Sequence, residues 1–201
     1  MYKKYFKRFL DFILSFIGLL FLSPTFLIIA FLIKKEDGGS IFFRQIRVGK
    51  NGRYFKIYKF RTMVENAEKL GAQVTKGEDP RITKIGKVLR KYKLDELPQL
   101  INVLKGEMSL VGPRPEVPKY VEVYKKEYEQ ILKVKPGITD FAALEYIDEE
   151  KILKDSKNPE ETYLNKVLPE KIKYYQKYLK EIGFITDMKL ILRTLKSILR
   201  N

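Results

Sequence analysis

The sequence predicts an α+β protein, mostly helical, with one long apolar segment near its N-terminus and a basic globular part after it. Three observations predict this. Residues Phe12 to Ile33 run without a single charge. Downstream, apolar residues recur at helical spacing between short pieces bounded by glycine and proline. Lys and Arg number 40 against 25 Asp and Glu, a formal net charge of +15. The expected division is a membrane-embedded part over 1–35 and a globular part over 36–201.

The apolar segment reads FILSFIGLLFLSPTFLIIAFLI. As a straight helix it would be roughly 33 Å long, against about 30 Å for the hydrocarbon core of a bilayer. A secretory signal peptide fits less well. The run is long, no small-residue cleavage site follows, and Lys34 and Lys35 come next. Ser23-Pro24 sits near its middle. Proline removes a backbone donor and crowds the preceding turn, so a break is expected there. Ser23 and Thr25 can offer hydroxyls to the carbonyl left over. Lys3, Lys4, Lys7 and Arg8 precede the segment, and Lys34, Lys35, Arg44 and Arg47 follow it. Positive charge prefers the cytoplasmic side, and one straight crossing cannot put both flanks there. A re-entrant helix broken at Ser23-Pro24 can; a bent single span is the alternative. Asp11 is expected to cap the helix start or to pair with Arg8.

Ser40 to Met63 reads as a small β-hairpin turning at Gly49 to Gly52. Its second strand, Arg53 to Phe60, alternates basic with apolar residues. Lys56, Lys59 and, just beyond, Arg61 are basic residues that suit a diphosphate or lipid headgroups, or plain exposure to solvent. A short helix is expected over Val64 to Gly71, and a loop over Ala72 to Asp79. Ile82 to Tyr92 fits a helix. Leu94, Leu97, Leu100, Ile101 and Leu104 continue a helical face that restarts near Pro98 and stops at Gly106. The prolines of MSLVGPRPEVPKY oppose long regular structure. Val117 to Val134 is an amphipathic helix whose apolar face would pack on the core or on a second copy in a homodimer. KPGITD is a turn. Asp148 to Tyr178 is mainly helical, interrupted at Pro159 and Pro169. Thr186 to Leu199 is a basic amphipathic helix, suited equally to the core and to a membrane interface.

Composition limits the chemistry. The chain has no Cys and no His. Thiolate chemistry, imidazole acid–base catalysis and zinc sites built on these residues are therefore excluded. Carboxylates, Lys, Arg, Tyr and a hard metal on oxygen remain. RKYKLDELPQL, Arg90 to Leu100, sets the adjacent Asp95 and Glu96 beside a dense basic run. A carboxylate there can act as a nucleophile toward phosphorus, serve as a Mg²⁺ ligand, or simply open a helix. In GPRP, Gly112 to Pro115, the prolines stiffen the loop that carries Arg114. This suits phosphate binding and equally a rigid turn.

Together these stretches identify a resemblance. FFRQIRVGKNGRYFKIYKFRTM, DPRITKIGKVLRKYKLDELPQLINVLKGEMSLVGPRP and VKPGIT, following the Ser23-Pro24 segment, resemble the bacterial sugar transferase family of monotopic phosphoglycosyl transferases over nearly the whole chain. The resemblance implies a re-entrant helix with both ends on the cytoplasmic face of the bacterial cell membrane, and a cytosolic catalytic domain over 36–201. It implies Asp95 as the nucleophile on the β-phosphate of a UDP-sugar, with UMP released and Glu96 binding Mg²⁺. Undecaprenyl phosphate then takes the phosphosugar, the first membrane step of capsule, O-antigen or glycoconjugate assembly. Arg90 and Arg114 match phosphate-binding positions, and Asp187 matches a late aspartate in an F-x-x-D-x-K pattern, where helix capping is the rival role. Tyr175 departs from the acidic residue found in many members about twelve positions before that aspartate. Asp140 stands where glycine is common after PGIT.

The alternatives predict other signatures. A CDP-alcohol phosphotransferase needs several spans and a D-x-x-D-G pattern, and neither is present. A basic membrane-anchored nucleic-acid-binding protein would carry a helix-turn-helix or RNP pair. A non-catalytic scaffold would not need Asp95, Glu96, Arg90 and Arg114 intact. The expected partners are a UDP-sugar, undecaprenyl phosphate and membrane lipid, with no nucleic acid.

Overall fold

The apolar segment forms one long helix, α1 (Lys7–Asp37), entered through a π-helical turn at Tyr2–Phe6. Among the described residues it is the helix long and apolar enough to cross a membrane. The computed structural model describes residues 2–67, 79–146, 152–153, 156 and 158–200. The expected break at Ser23-Pro24 does not appear as a gap: α1 is helical through Pro24. The Leu20 carbonyl, which Pro24 cannot serve, accepts instead from the Ser23 hydroxyl at 2.8 Å. That local substitute lets the helix pass a residue that removes a donor.

The two ends of α1 are held by the same globular unit. Near the start, Arg8 donates to the Val103 and Leu104 carbonyls at 2.5 and 2.8 Å, and Asp11 accepts from the Leu110 amide at 3.0 Å. Near the end, Ile29 and Ile33 are buried with Phe60 and Leu89. Each such side chain contributes roughly 1.5–3 kcal/mol by leaving water. Between these anchors Leu20, Phe21, Leu27 and Ile28 are exposed.

The hairpin forms as expected, β1 (Phe42–Val48) pairing antiparallel with β2 (Tyr54–Phe60) across a turn at Lys50–Gly52. The expected helix over Val64 to Gly71 is a turn through Ala67; its remainder, and the loop after it up to residue 78, lie outside the described residues. Next comes α2 (Lys84–Lys91). Thr83 accepts from the Gly86 amide, and Glu36 of α1 accepts from the Lys84 and Ile85 amides. These carboxylate and hydroxyl oxygens satisfy first-turn donors that a helix cannot satisfy itself. Gly86 is required by a close approach: a β-carbon there would sit 2.1 Å from the Thr62 carbonyl oxygen.

A 3₁₀ turn (Leu94–Glu96) leads into α3 (Gln99–Lys105), which ends at left-handed Gly106. The residues just before GPRP and those of PGIT hold a short strand pairing that the sequence reading missed. β3 (Ser109–Val111) pairs in parallel with β4 (Gly137–Thr139). A β-carbon at Gly137 would fall 2.0 Å from the Gly112 nitrogen, so the two stretches cross in near contact. The expected single helix over Val117 to Val134 is two, α4 (Pro118–Val123) and α5 (Lys125–Ile131), parted at Tyr124. Its apolar residues Tyr120, Val121, Tyr128 and Ile131 are buried in the chain's own core with Ile172 and Tyr175, so that face is not open to a second copy.

After β4 come α6 (Phe141–Glu145), α7 (Pro159–Thr162), α8 (Leu168–Glu181) and α9 (Phe184–Arg200). Leu190 of α9 is buried with Val111 and Tyr178, while Phe184, Ile185, Leu192 and Leu195 are exposed. The last helix thus packs on the core and also presents apolar residues outward. Among the described residues the architecture is a mostly helical fold around two small two-stranded pairings.

Candidate active site

Two sequence-predicted carboxylates stand on one tight turn. Lys93 adopts a left-handed conformation (φ 53°, ψ 22°), and the chain then makes the 3₁₀ turn that carries Asp95 and Glu96. A non-glycine residue in that region is uncommon and persists where surrounding contacts enforce it. Asp95 is left 8% exposed.

Lys59 reaches the turn from β2. It shares a face with Phe55 and Ile57, both buried against Val103 and Met108, because alternate strand residues point the same way. Its ammonium donates to Glu96 Oε1 at 2.7 Å. Arg114, after β3, meets the same carboxylate from the other side. Its Nη1 donates to Glu96 Oε2 at 3.1 Å and its Nη2 to Oε1. The planar guanidinium suits this two-point contact. The loop bearing Arg114 is fixed by Gly112 donating to Thr139, Gly137 donating to Pro113, and Arg47 donating to the Pro115 carbonyl.

The two carboxylates are pushed apart electrostatically. Burial drives the Asp95 carboxyl above its ordinary value; Lys59 opposes that rise and Glu96 adds to it. Burial would also raise Glu96, but Arg114 and then Lys59 outweigh it and hold that group well below the usual carboxylate range. Burial lowers the Lys59 ammonium, with Glu96 opposing. Arg90, at the end of α2, donates through Nε to the Thr62 hydroxyl at 3.0 Å and draws the Asp95 carboxyl down. Asp95, Glu96, Lys59, Arg114 and Arg90 therefore form one charged group.

Two predicted residues lie elsewhere. Arg61 donates to both oxygens of Asp37 and to the Ser40 and Met63 carbonyls. Its guanidinium thereby fastens the end of α1. Asp187 accepts from Tyr2 at 2.6 Å, Lys7 at 2.5 Å and Tyr178 at 2.9 Å. It ties α9 and α8 to the root of α1. The sequence reading singled out Asp140 without a role and did not single out Asn102. Asn102, fully buried, accepts from the Tyr58 amide and donates to the Lys56 carbonyl, which locks α3 to the strand carrying Lys59. No periodicity marks such a residue, since its partners are backbone atoms distant in sequence.

The donors available to a metal are oxygens only. Among the described residues no group of three or more carboxylates gathers into a metal cage. Mg²⁺ commonly takes one or two carboxylates and completes its shell with phosphate oxygens and water, and Asp95 with Glu96 fit that pattern.

A family profile described as bacterial sugar transferase matches residues 2–201. The exopolysaccharide production protein ExoY of Sinorhizobium fredii is 44% identical over 148 residues, 66% of this chain and 66% of that protein. The UDP-N-acetylgalactosamine-undecaprenyl-phosphate N-acetylgalactosaminephosphotransferase of Aeromonas hydrophila is 38% identical over 96% of this chain and 43% of its own length. The galactosyl transferase CpsE of Streptococcus agalactiae is 40% identical over 96% of this chain and 42% of its own. The chain thus spans less than half the length of the latter two relatives, and just under two thirds of the first.

Proposed function

The chain belongs to the bacterial sugar transferase family, and on that premise we propose that it transfers a sugar-1-phosphate from a UDP-sugar to undecaprenyl phosphate. One observation carries the reading. A buried carboxylate whose affinity for protons is raised, Asp95, stands beside a second, Glu96, held ionised by Lys59 and Arg114. Two named relatives act on polyprenyl phosphate or sugar substrates by their descriptions. A nucleic-acid-binding role finds no support among them.

In the proposed first step an Asp95 oxygen attacks the β-phosphorus of the UDP-sugar. The bond from that phosphorus to the oxygen bridging the two phosphates breaks, and UMP leaves with the bridging oxygen. The sugar phosphate remains on Asp95 as an acyl phosphate. In the second step a phosphate oxygen of the lipid attacks the same phosphorus. The bond to Asp95 breaks, its carboxylate is restored, and the sugar leaves on a polyprenyl diphosphate. Lys59 and Arg114 are set to meet phosphate charge that Glu96 meets now, and Arg90 lies on the Asp95 side. Preorganised cations of this kind stabilise charge as it develops without reorganising. Magnesium, held by Glu96, would supply further neutralisation of the phosphate oxygens.

The membrane arrangement is part of the proposal. A straight crossing would place the ends of α1 on opposite sides of the bilayer. Lys7 and Arg8 at one end, and Asp37 and Glu36 at the other, are all bound to one polar unit. Moving either end across would break those contacts or drag charge into lipid. We therefore read α1 as re-entrant, bending through its exposed middle, with both ends and the catalytic unit at the cytoplasmic face. The outward apolar residues of α9 would rest in the interface.

The test is UMP release by the nanodisc-held protein across a panel of UDP-sugars with Mg²⁺ and undecaprenyl phosphate. Release with a particular sugar supports the reading and names the donor. Release that persists unchanged in Asp95→Asn contradicts the assigned nucleophile.

A further inference from the structure

Asp140, 1% exposed, joins two elements of the site. Its Oδ1 accepts from the Ala143 amide at 2.7 Å and so caps α6. Its Oδ2 accepts from the backbone N–H of Arg114 at 3.3 Å. We propose that Asp140 is a positioning residue for the transfer reaction, its ionised carboxylate fixing the Arg114 backbone and so aiming that guanidinium at Glu96 and at incoming phosphate. This deepens the transferase reading and rests on it for the role of Arg114.

A cap alone does not require a charge, since Ser, Thr and Asn cap helices as well as Asp does. The charge is kept here despite its surroundings. Burial pushes the Asp140 carboxyl up to about 6, with the Ala143 amide, Lys171, and the Arg114 charge and amide opposing. The facing groups are Lys171 and Tyr175 of α8, Tyr128 of α5 and Arg114. The two phenols also feel Glu116, and neither phenol oxygen has a hydrogen-bond partner, so neither competes for the carboxylate.

The geometry says which bond yields on protonation. The shorter contact, to Ala143, keeps Oδ1 as an acceptor. The proton therefore goes to Oδ2, which then faces the Arg114 N–H with a hydrogen of its own. The helix keeps its cap, and the loop loses an anchor. Loop order and turnover should fall together as pH drops through about 6.

The experiment measures amide hydrogen exchange over residues 110–117, corrected for intrinsic rate, from pH 5 to 8 in the nanodisc-held full chain. UMP release is followed over the same range, and wild type is compared with Asp140→Asn. The expected wild type loses protection in this loop below about pH 6. The variant, which presents an amide NH₂ to Arg114, lacks that protection throughout. Its kcat/KM at pH 7.5 should be lower by roughly ten- to a hundredfold, the scale of a misplaced catalytic group, and should show no step near pH 6. Loop exchange that ignores pH in wild type overturns the clamp, and this needs no variant to fold. A wild-type step retained in Asp140→Asn overturns it too. A wild type that releases no UMP from any donor overturns the transferase reading, and with it the catalytic half of this proposal.

Discussion

Arg114 grips Glu96 with both arms of its guanidinium, while Lys59 donates to the same carboxylate from β2. A loop after β3, a strand and a 3₁₀ turn thus meet on one side chain. The two cations are positioned before substrate arrives, and Glu96 offsets part of their charge until then.

Replacing that fork is the first prediction. Arg114→Lys keeps the charge and loses the two-point contact. UMP release should fall by about 10²-fold, the usual scale for removing one electrostatic contact to a transition state. Thermal stability should change little, because Lys59 still neutralises Glu96. Steady-state kinetics beside a melting curve measures both.

Arg61 supplies the contrasting case. It holds Asp37 at the end of α1. Arg61→Ala should destabilise the protein by roughly 1–3 kcal/mol, through the lost packing of a buried guanidinium and its charge-assisted hydrogen bonds to a largely exposed Asp37. UMP release per folded molecule should drop far less than in Lys59→Ala. Equal losses of turnover in the two variants would return Arg61 to the substrate site.

Gly86 tests the packing under Arg90. In Gly86→Ala the new carbon meets the Thr62 carbonyl, so α2 must move outward from the segment that binds Arg90. Overpacking of this kind destabilises by about 1–3 kcal/mol. A lowered Tm with a raised KM for the donor is expected.

Asp140 gives a pH-dependent stability. Its folded pKa, about 6, lies above the ordinary aspartate range, so the folded chain holds that proton more tightly than the unfolded one. The contribution to stability is fully present below about pH 4, and it is lost as pH rises through about 6. Asp140→Asn does not titrate there. The Tm of the variant relative to wild type should therefore climb between pH 4 and 7, and a difference that stays flat would contradict the buried charge.

Much of this was legible in the sequence because it is periodic or local. The uncharged run of α1, the GKNG hairpin and the helices at Lys84 and Gln99 are each set by spacing and by residues at their ends. Asp95 beside Glu96 was legible as chemistry, although a pair of acids is no site until Lys59 and Arg114 close on it. The alternation of β2 did place Lys59 on the same face as Phe55 and Ile57, a cue that it points inward. The rest depends on distant partners. The β3–β4 pairing was hidden because strands of three residues carry no pattern, and only the near contact of Gly112 and Gly137 explains both glycines. Tyr124 parts α4 from α5 with nothing in its sequence to announce a break. The partners of Arg61 and Asp187 at the ends of α1 could not be read from spacing, because they lie far away in sequence. Pro24 was expected to divide the helix, and the Ser23 hydroxyl bridged it instead.

The central claim is a sugar phosphate held covalently on Asp95. The most direct measurement is intact-protein and peptide mass spectrometry after incubation with Mg²⁺ and the UDP-sugar that supports turnover, with undecaprenyl phosphate withheld. The account predicts UMP release without lipid, matched by added mass of one sugar phosphate on the peptide containing Asp95. Both should be lost in Asp95→Asn, and the adduct should discharge when lipid is added. UMP release that occurs only with lipid present and leaves no adduct on Asp95, while the product forms normally, would contradict it.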